Sequence, residues 1–167
     1  MGEFLDAVRR SRRLHAPWVS PPATAGAYRR YLRRLEQPTH SGHFVSLRGS
    51  GDLVGVVNVS EIVLGALRSA YLGYYAFVPH ARQGLMTEGL ALAVDHAFRR
   101  LRLHRLEANI QPGNRASLRL VQRLGFRREG FSPNYLKIAG RWRDHERWAI
   151  LRDGATRRRL PGRRRSR

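Results

Sequence analysis

An α/β domain is predicted by three features of the sequence. The apolar period switches from helical to two at Phe44, and the turn Gly49-Ser50-Gly51-Asp52 folds the first period-two stretch into a hairpin. Twice thereafter a strand runs through a glycine-bearing turn into an amphipathic helix. A length of 167 residues suits one hydrophobic core and is short for two ordinary domains. The domain is expected over residues 1–154, with a basic tail over 155–167.

The elements follow in order. Glu3 to Leu14 is an arginine-rich amphipathic stretch, and Ala16-Pro17 through Pro21-Pro22 breaks it from the next helix. That second helix runs from Thr24, a suitable N-cap, to Leu35, with Tyr28, Tyr31, Leu32 and Leu35 at helical spacing. Phe44 to Leu47 and Leu53 to Ser60 form the hairpin, and Ala70 to Val78 is a third strand rich in Tyr and Phe. After Pro79-His80-Ala81-Arg82-Gln83-Gly84 a helix is expected from Met86 to Leu101, with Leu90, Ala93, Val94, Ala97 and Leu101 on one stripe. His104 to Ile110 reads as a strand ended by Gln111-Pro112-Gly113. Asn114 then caps a helix with the stripe Leu118, Val121 and Leu124 and the stop Gly125. Tyr135 to Ile138 and Trp142 to Leu151 flank a turn at Gly140. The run Arg157 to Arg167, which holds seven arginines, is expected to be disordered in isolation.

The formal charge is +20, from 32 basic against 12 acidic residues, and Lys137 is the only lysine. A field of this sign concentrates nucleic acid, anionic lipid and phosphorylated ligands, and repels polyamines. The absence of cysteine excludes a disulfide framework, a thiolate-held zinc and a thiol nucleophile. No stretch approaches the roughly 20 apolar residues that span a bilayer, and the start Met-Gly-Glu-Phe-Leu does not read as a secretion signal. A soluble cytoplasmic protein with no membrane partner is therefore expected.

Chemistry concentrates at two strand-to-helix junctions. Arg82-Gln83-Gly84-Leu85-Met86-Thr87 opens a helix, where unpaired amides and about half a positive charge suit a phosphate, and Gly84 leaves the approach clear. Neither the Walker A pattern nor Gly-x-Gly-x-x-Gly is present, so a phosphate loop of another type is required. The second junction is Glu107-Ala108-Asn109-Ile110-Gln111-Pro112-Gly113-Asn114-Arg115-Ala116-Ser117, closed by Leu124-Gly125-Phe126-Arg127-Arg128-Glu129-Gly130. Together these segments resemble the GNAT superfamily of acyl-CoA-dependent N-acetyltransferases. The run Tyr135-Leu136-Lys137-Ile138-Ala139-Gly140-Arg141-Trp142-Arg143-Asp144-His145 is similar to the branch of ribosomal-protein alanine N-acetyltransferases, RimJ and RimL. The resemblance covers Asp52 to Leu151, about six-tenths of the chain. Two departures stand out. The family loop usually reads Gln/Arg-x-x-Gly-x-Gly/Ala, where this chain has Ala81 and Met86 at the outer positions, and no counterpart of the family's first strand precedes Glu3. The sheet is thus expected either to lack that strand, with one edge exposed, or to have lost its start.

The resemblance implies a GNAT fold, a mixed and mostly antiparallel twisted sheet with helices on both faces, in which the strand before the loop splays from its neighbour. It implies acetyl-CoA as cofactor, with its pantetheine arm in that gap against backbone groups near Phe77 and Val78. The pyrophosphate would then sit on the amides of Arg82, Gln83, Gly84, Leu85, Met86 and Thr87, with Arg82 adding charge. Asn114 and Ser117 match a pattern whose side chains face coenzyme A, although they also read as an ordinary N-cap and a first-turn residue. The implied reaction is direct attack of a neutral amine on the thioester, with Ser117 as the acid toward the departing thiolate. Glu107 is the leading candidate base, ahead of Asp144, His145 and Glu146, although its alternation with Leu106 and Ala108 equally suits a surface carboxylate paired with arginine. Asn109 is assigned to the acceptor backbone and Tyr135 to the acceptor pocket. No metal is expected, because only two of Asp144-His145-Glu146 share a strand face. The expected acceptor is a protein N-terminal α-amine, ribosomal protein first, aided by attraction to ribosomal RNA. The alternatives are acetylation of a small amine or amino acid, and a GNAT fold that has lost catalysis and binds RNA or ribosomes. A monomer or a homodimer fits equally.

Overall fold

The computed structural model describes residues 1–16 and 18–152, so the tail over 155–167 lies outside the described residues. Three helices come first: α1 (Gly2–Arg10), α2 (Arg12–His15) and α3 (Ala25–Leu35). They are followed by strands β1 (Ser41–Ser46), β2 (Leu53–Val63) and β3 (Ser69–Ala76), helix α4 (Leu85–Arg99), strand β4 (Arg105–Ile110), helix α5 (Arg115–Leu124) and the hairpin β5 (Arg127–Ile138) and β6 (Arg141–Leu151). The six strands form one sheet in the order β1-β2-β3-β4-β6-β5. Every neighbouring pair is antiparallel except β3 and β4, which run parallel. No helix among the described residues is long and apolar enough to cross a membrane.

Helices cover both faces. Phe4, Ala7 and Val8 of α1 and Tyr28 and Tyr31 of α3 pack on Val56, Tyr75 and Phe77 of the sheet. On the opposite face Leu90, Ala93, Val94 and Ala97 of α4 and Val121 and Leu124 of α5 bury Val57, Val59, Leu72, Leu106, Ala108 and Ile110. Alternation along β3 divides its side chains between these two cores, with Leu72 on the α4 side and Tyr75 with Phe77 on the α1 side.

The parallel pairing of β3 with β4 is brief. Only Ser69 with Arg105, Ala70 with Leu106 and Tyr71 with Glu107 are in register. Beyond them β3 stays on β2 as far as Ala76, while β4 stays on β6 as far as Ile110. The two strands therefore diverge, and a wedge opens between them toward their C-terminal ends.

Two elements differ from the sequence reading. The expected helix from Glu3 to Leu14 breaks at Ser11, where φ −92° and ψ 7° leave the helical path. Ser11 is 0% exposed, and its hydroxyl accepts the amide of Val78 at 3.0 Å, a tertiary bond that competes with helix continuity. Strand β5 begins at Arg127, well before Tyr135. It is an edge strand held by β6 on one side only, and Arg127, Arg128 and Glu129 stay exposed, so no apolar alternation marks it.

The start of α4 is seated on the sheet through Gly55. A Cβ at that position would lie 2.4 Å from the Met86 sulfur and 2.5 Å from the Tyr75 carbonyl oxygen. The methionine can move and the backbone carbonyl cannot. Gly55→Ala is expected to destabilise the fold by about 1–3 kcal/mol as overpacking, read as a lower midpoint in thermal unfolding.

Candidate active site

The edge of β3 facing the wedge is defined by hydrogen-bond alternation. The Phe77 amide donates to the Val54 carbonyl at 2.7 Å, so Phe77 and Tyr75 turn their backbone groups toward β2, while Tyr74 and Ala76 turn theirs into the wedge. Part of this edge is already occupied from within the chain. His15 Nε2 lies 2.8 Å from the Ala76 carbonyl oxygen, and the Val78 amide is held by Ser11. Of the two residues expected to offer backbone to a pantetheine arm, the Phe77 amide is thus committed to β2 and the Val78 amide to Ser11. The groups left along the wedge are those of Tyr74 and the Ala76 amide. At the end of β4, Gln111 Nε2 donates to the Trp18 carbonyl at 3.4 Å.

The loop after β3 presents free donors. Gly84 has φ +84°, a left-handed conformation that side chains rarely adopt, and nothing lies within 4 Å of the Cβ it lacks. The Thr87 amide donates to the Gly84 carbonyl at 2.8 Å, whereas the amides of Gly84, Leu85 and Met86 have no acceptor among the described residues. Gln83 Nε2 braces the loop on the Pro79 carbonyl at 3.0 Å, and the Arg82 side chain is exposed. Met86 itself points into the core, so only its backbone faces outward.

Across the wedge, Asn114 Oδ1 accepts the Ser117 amide at 3.2 Å and caps α5. The Ser117 hydroxyl is 2.5 Å from that of Tyr74, which reaches under the wedge from β3. Burial pushes the Tyr74 phenol up to about 12 against the opposing pull of its bond to Ser117. Tyr74 reads as sheet packing in the sequence. Its signal is its phase: it alternates with Tyr75 and so faces the same side as the α5 stripe.

The opposite face carries the remaining candidates. Glu107 Oε1 accepts from Arg105 Nε at 2.8 Å, and the same guanidinium grips Glu129, which holds Arg105 more firmly in its charged form and pulls the Glu129 carboxyl down. Glu107 Oε2 has no partner among the described residues. Asn109 Oδ1 is buried without a hydrogen-bond partner. The Tyr71 and Tyr135 hydroxyls meet at 3.4 Å above Glu107, a contact that with burial raises the Tyr71 phenol to about 12. The Tyr135 ring lies 6.1 Å from that of His145. The other carboxylates of the hairpin are engaged. Asp144 accepts the Asn134 amide at 2.8 Å, and Glu146 accepts from Trp148 at 3.0 Å and from Arg128 at 3.1 Å. Among the described residues no group of three His, Asp or Glu side chains is arranged to hold a metal ion.

Residues 3–127 match the acetyltransferase domain of the GNAT family. The chain belongs to the GNAT acetyltransferase family. A probable N-acetyltransferase of Bacillus subtilis, YjcK, is 42% identical over 122 residues, which make up 72% of this chain and 67% of that protein. The ribosomal protein uS5 alanine N-acetyltransferase of Escherichia coli is 42% identical over 94 residues. These are 56% of this chain and 48% of the enzyme, so the chain spans about half of that relative's length. Mycobacterium smegmatis RimJ, solved in complex with CoA-disulfide, superposes with a TM-score of 0.83 at 28% identity, covering 91% of this chain and 77% of the other.

Three histidines of this GNAT domain are held neutral by burial. His15, His43 and His145 all have pKa values below the usual 6.5, desolvation being the largest cause in each, with His96 adding repulsion at His43. The unfolded chain binds more protons than the folded one wherever pH lies between these depressed values and about 6.5. Stability is therefore complete above about pH 6.5 and falls as pH drops through the folded-state values. Thermal midpoints measured from about pH 7.5 to 5 are expected to decline, less steeply in His15→Gln, whose amide still donates to Ala76.

Proposed function

We propose that this chain transfers the acetyl group of acetyl-CoA to the α-amine of a protein N-terminus, with a ribosomal protein as acceptor. The observation that carries the reading is the wedge between β3 and β4, with the free amides of Gly84, Leu85 and Met86 beside it and the Ser117 hydroxyl beneath it. The uS5 alanine N-acetyltransferase similarity supports the acceptor class.

The site residues fit the cofactor. Tyr74 and Ala76 present backbone groups along the gap, the start of α4 offers unpaired amides to a pyrophosphate, and the open space at Gly84 lets phosphate approach. Acetyl-CoA, when bound, supplies an acetyl thioester that a neutral amine attacks directly. The chain's own task is to manage protons. An α-amine has a reference pKa of about 7.7–8.0 against about 10.4 for lysine, so roughly a quarter of N-termini are neutral near physiological pH and a modest base suffices. Glu107 fits that role through Oε2, with Arg105 holding Oε1 and fixing the carboxylate. Asn109, with its buried unpaired Oδ1, is suited to accept an acceptor backbone N–H, and Tyr135 walls the same face. Ser117 donates toward the departing sulfur, and Asn114 holds the first turn of α5 in place for it.

The charge of +20 favours a macromolecular acceptor bound to RNA over a polyamine or aminoglycoside. Association with ribosomes is expected to weaken steeply as salt rises, by counterion release. Co-sedimentation at low and high salt checks this, and binding that ignores salt contradicts it. For the cofactor, calorimetric titration with acetyl-CoA is expected to give saturable one-to-one binding that survives high salt and is lost in Gly84→Glu, whose side chain places a carboxylate in the phosphate approach. Equal binding by both proteins would overturn the reading. An N-terminal peptide screen, read as acetylated peptide by mass, then tests the acceptor.

A further inference from the structure

We infer that Tyr74 is a positioning residue for the acid step, donating its hydroxyl proton to Ser117 Oγ so that the Ser117 hydroxyl points at the leaving sulfur. The inference rests on the proposed transfer of acetyl from coenzyme A and deepens it. Three features of the structure lead to it. Tyr74 lies on the part of β3 that has parted from β4, so its backbone lines the wedge while its ring passes beneath on the α5 side. Its hydroxyl is 2.5 Å from Ser117 Oγ and 3.4 Å from the Ser117 carbonyl oxygen, so the short contact is with the side chain. The Ser117 amide is tied to Asn114, which fixes the turn that carries the hydroxyl.

Either oxygen of the short contact can be the donor, and the greater acidity of a phenol than of an aliphatic alcohol is the ground for giving that part to Tyr74. A serine hydroxyl has one proton to give and two lone pairs to accept with, and a tyrosine hydroxyl has one proton. When Tyr74 donates to Oγ, the single proton of Ser117 is released from that contact and turns to the gap. A phenol is a far better proton source than an aliphatic alcohol, and here burial keeps it protonated throughout the physiological range. In the step itself the carbon–sulfur bond breaks with its electron pair on sulfur, the Ser117 proton passes to sulfur, and the Tyr74 proton passes to Ser117 Oγ. The phenolate regains a proton from solvent, balancing the one that the amine loses through Glu107.

The test is a cycle of Tyr74→Phe, Ser117→Ala and the double variant, with calorimetry of coenzyme A binding alongside turnover. Tyr74→Phe deletes one oxygen and is expected to lower kcat about tenfold, short of the hundredfold or more of a direct acid, with KM for acetyl-CoA and the binding constant unchanged. In the Ser117→Ala background the Tyr74→Phe change is expected to add nothing. A second readout needs no turnover: ultraviolet titration of the thiolate of bound coenzyme A. Donors aimed at sulfur favour the thiolate, so its pKa is expected below that of the free thiol and nearer the free value in either single variant. A loss confined to KM or binding means that Tyr74 only packs the wedge and overturns the inference. So do additive losses, or a thiolate titration that Tyr74→Phe leaves unmoved. If Ser117→Ala changes neither turnover nor the titration, the acid role of Ser117 itself falls. If Ser117→Ala slows turnover while Tyr74→Phe is silent, this inference falls alone.

Discussion

The parting of β3 from β4 after Tyr71 and Glu107 is the constraint on which the rest of the site depends. A sheet with continuous pairing there would satisfy its backbone internally and leave nothing for a ligand. Each strand is instead held by its outer neighbour, β3 by β2 and β4 by β6, so the open edge costs no register elsewhere. The helices divide along the same line. Helix α4 begins at the end of β3 and α5 at the end of β4, which brings two helix starts to the mouth of one wedge. Gly55 matters because it lets Met86 seat α4 against the sheet at that mouth.

The period of two then sorts the chemistry. Tyr74 faces α5 and meets Ser117, while its neighbour Tyr75 faces the α1 side and packs with His15 and Phe77. On β4, Leu106, Ala108 and Ile110 fill the core, and Glu107 with Asn109 look out on the other face. In the proposed reaction Glu107 would take a proton from one face of the sheet and Ser117 would give one from the other. The wedge lies between them, and in the proposed reaction an acyl group in it would be approached from both sides. Ser11 and His15 narrow the wedge by taking up the far end of the β3 edge, and the Trp18 carbonyl meets Gln111 beyond β4.

Much of this frame is legible from residues alone, because local rules and the tertiary fold agree. Thr24 and Asn114 cap helices where expected, and Gly125 ends α5 with φ +91°. The hairpin of β1 and β2 follows from its glycine turn. The two failures share a cause. Strand β5 pairs along one edge and buries little, so its charged start carries no period, and Ser11 breaks a helix to satisfy an amide 67 residues away. Long-range hydrogen bonds leave no local mark. The same holds at the site. Glycine, asparagine and serine announce themselves through turn and cap chemistry, whereas the partner of Ser117 is a tyrosine among several in an aromatic strand, and only the fold selects it.

The excess of arginine bears on the same chemistry. Five of the twelve acids are engaged by arginine: Asp6 by Arg9, Asp95 by Arg99, Glu107 and Glu129 by Arg105, and Glu146 by Arg128. The net charge that remains is +20. In the proposed reaction this charge would act on the acceptor itself. Positive potential disfavours an ammonium group more than the neutral amine, so it lowers the amine's pKa in the complex and enlarges the fraction able to attack. A carboxylate half committed to arginine, as Glu107 is, would be a poor base for a lysine side chain. For an α-amine already near neutrality and pushed further by its surroundings, it need only receive a proton that the field is helping to expel.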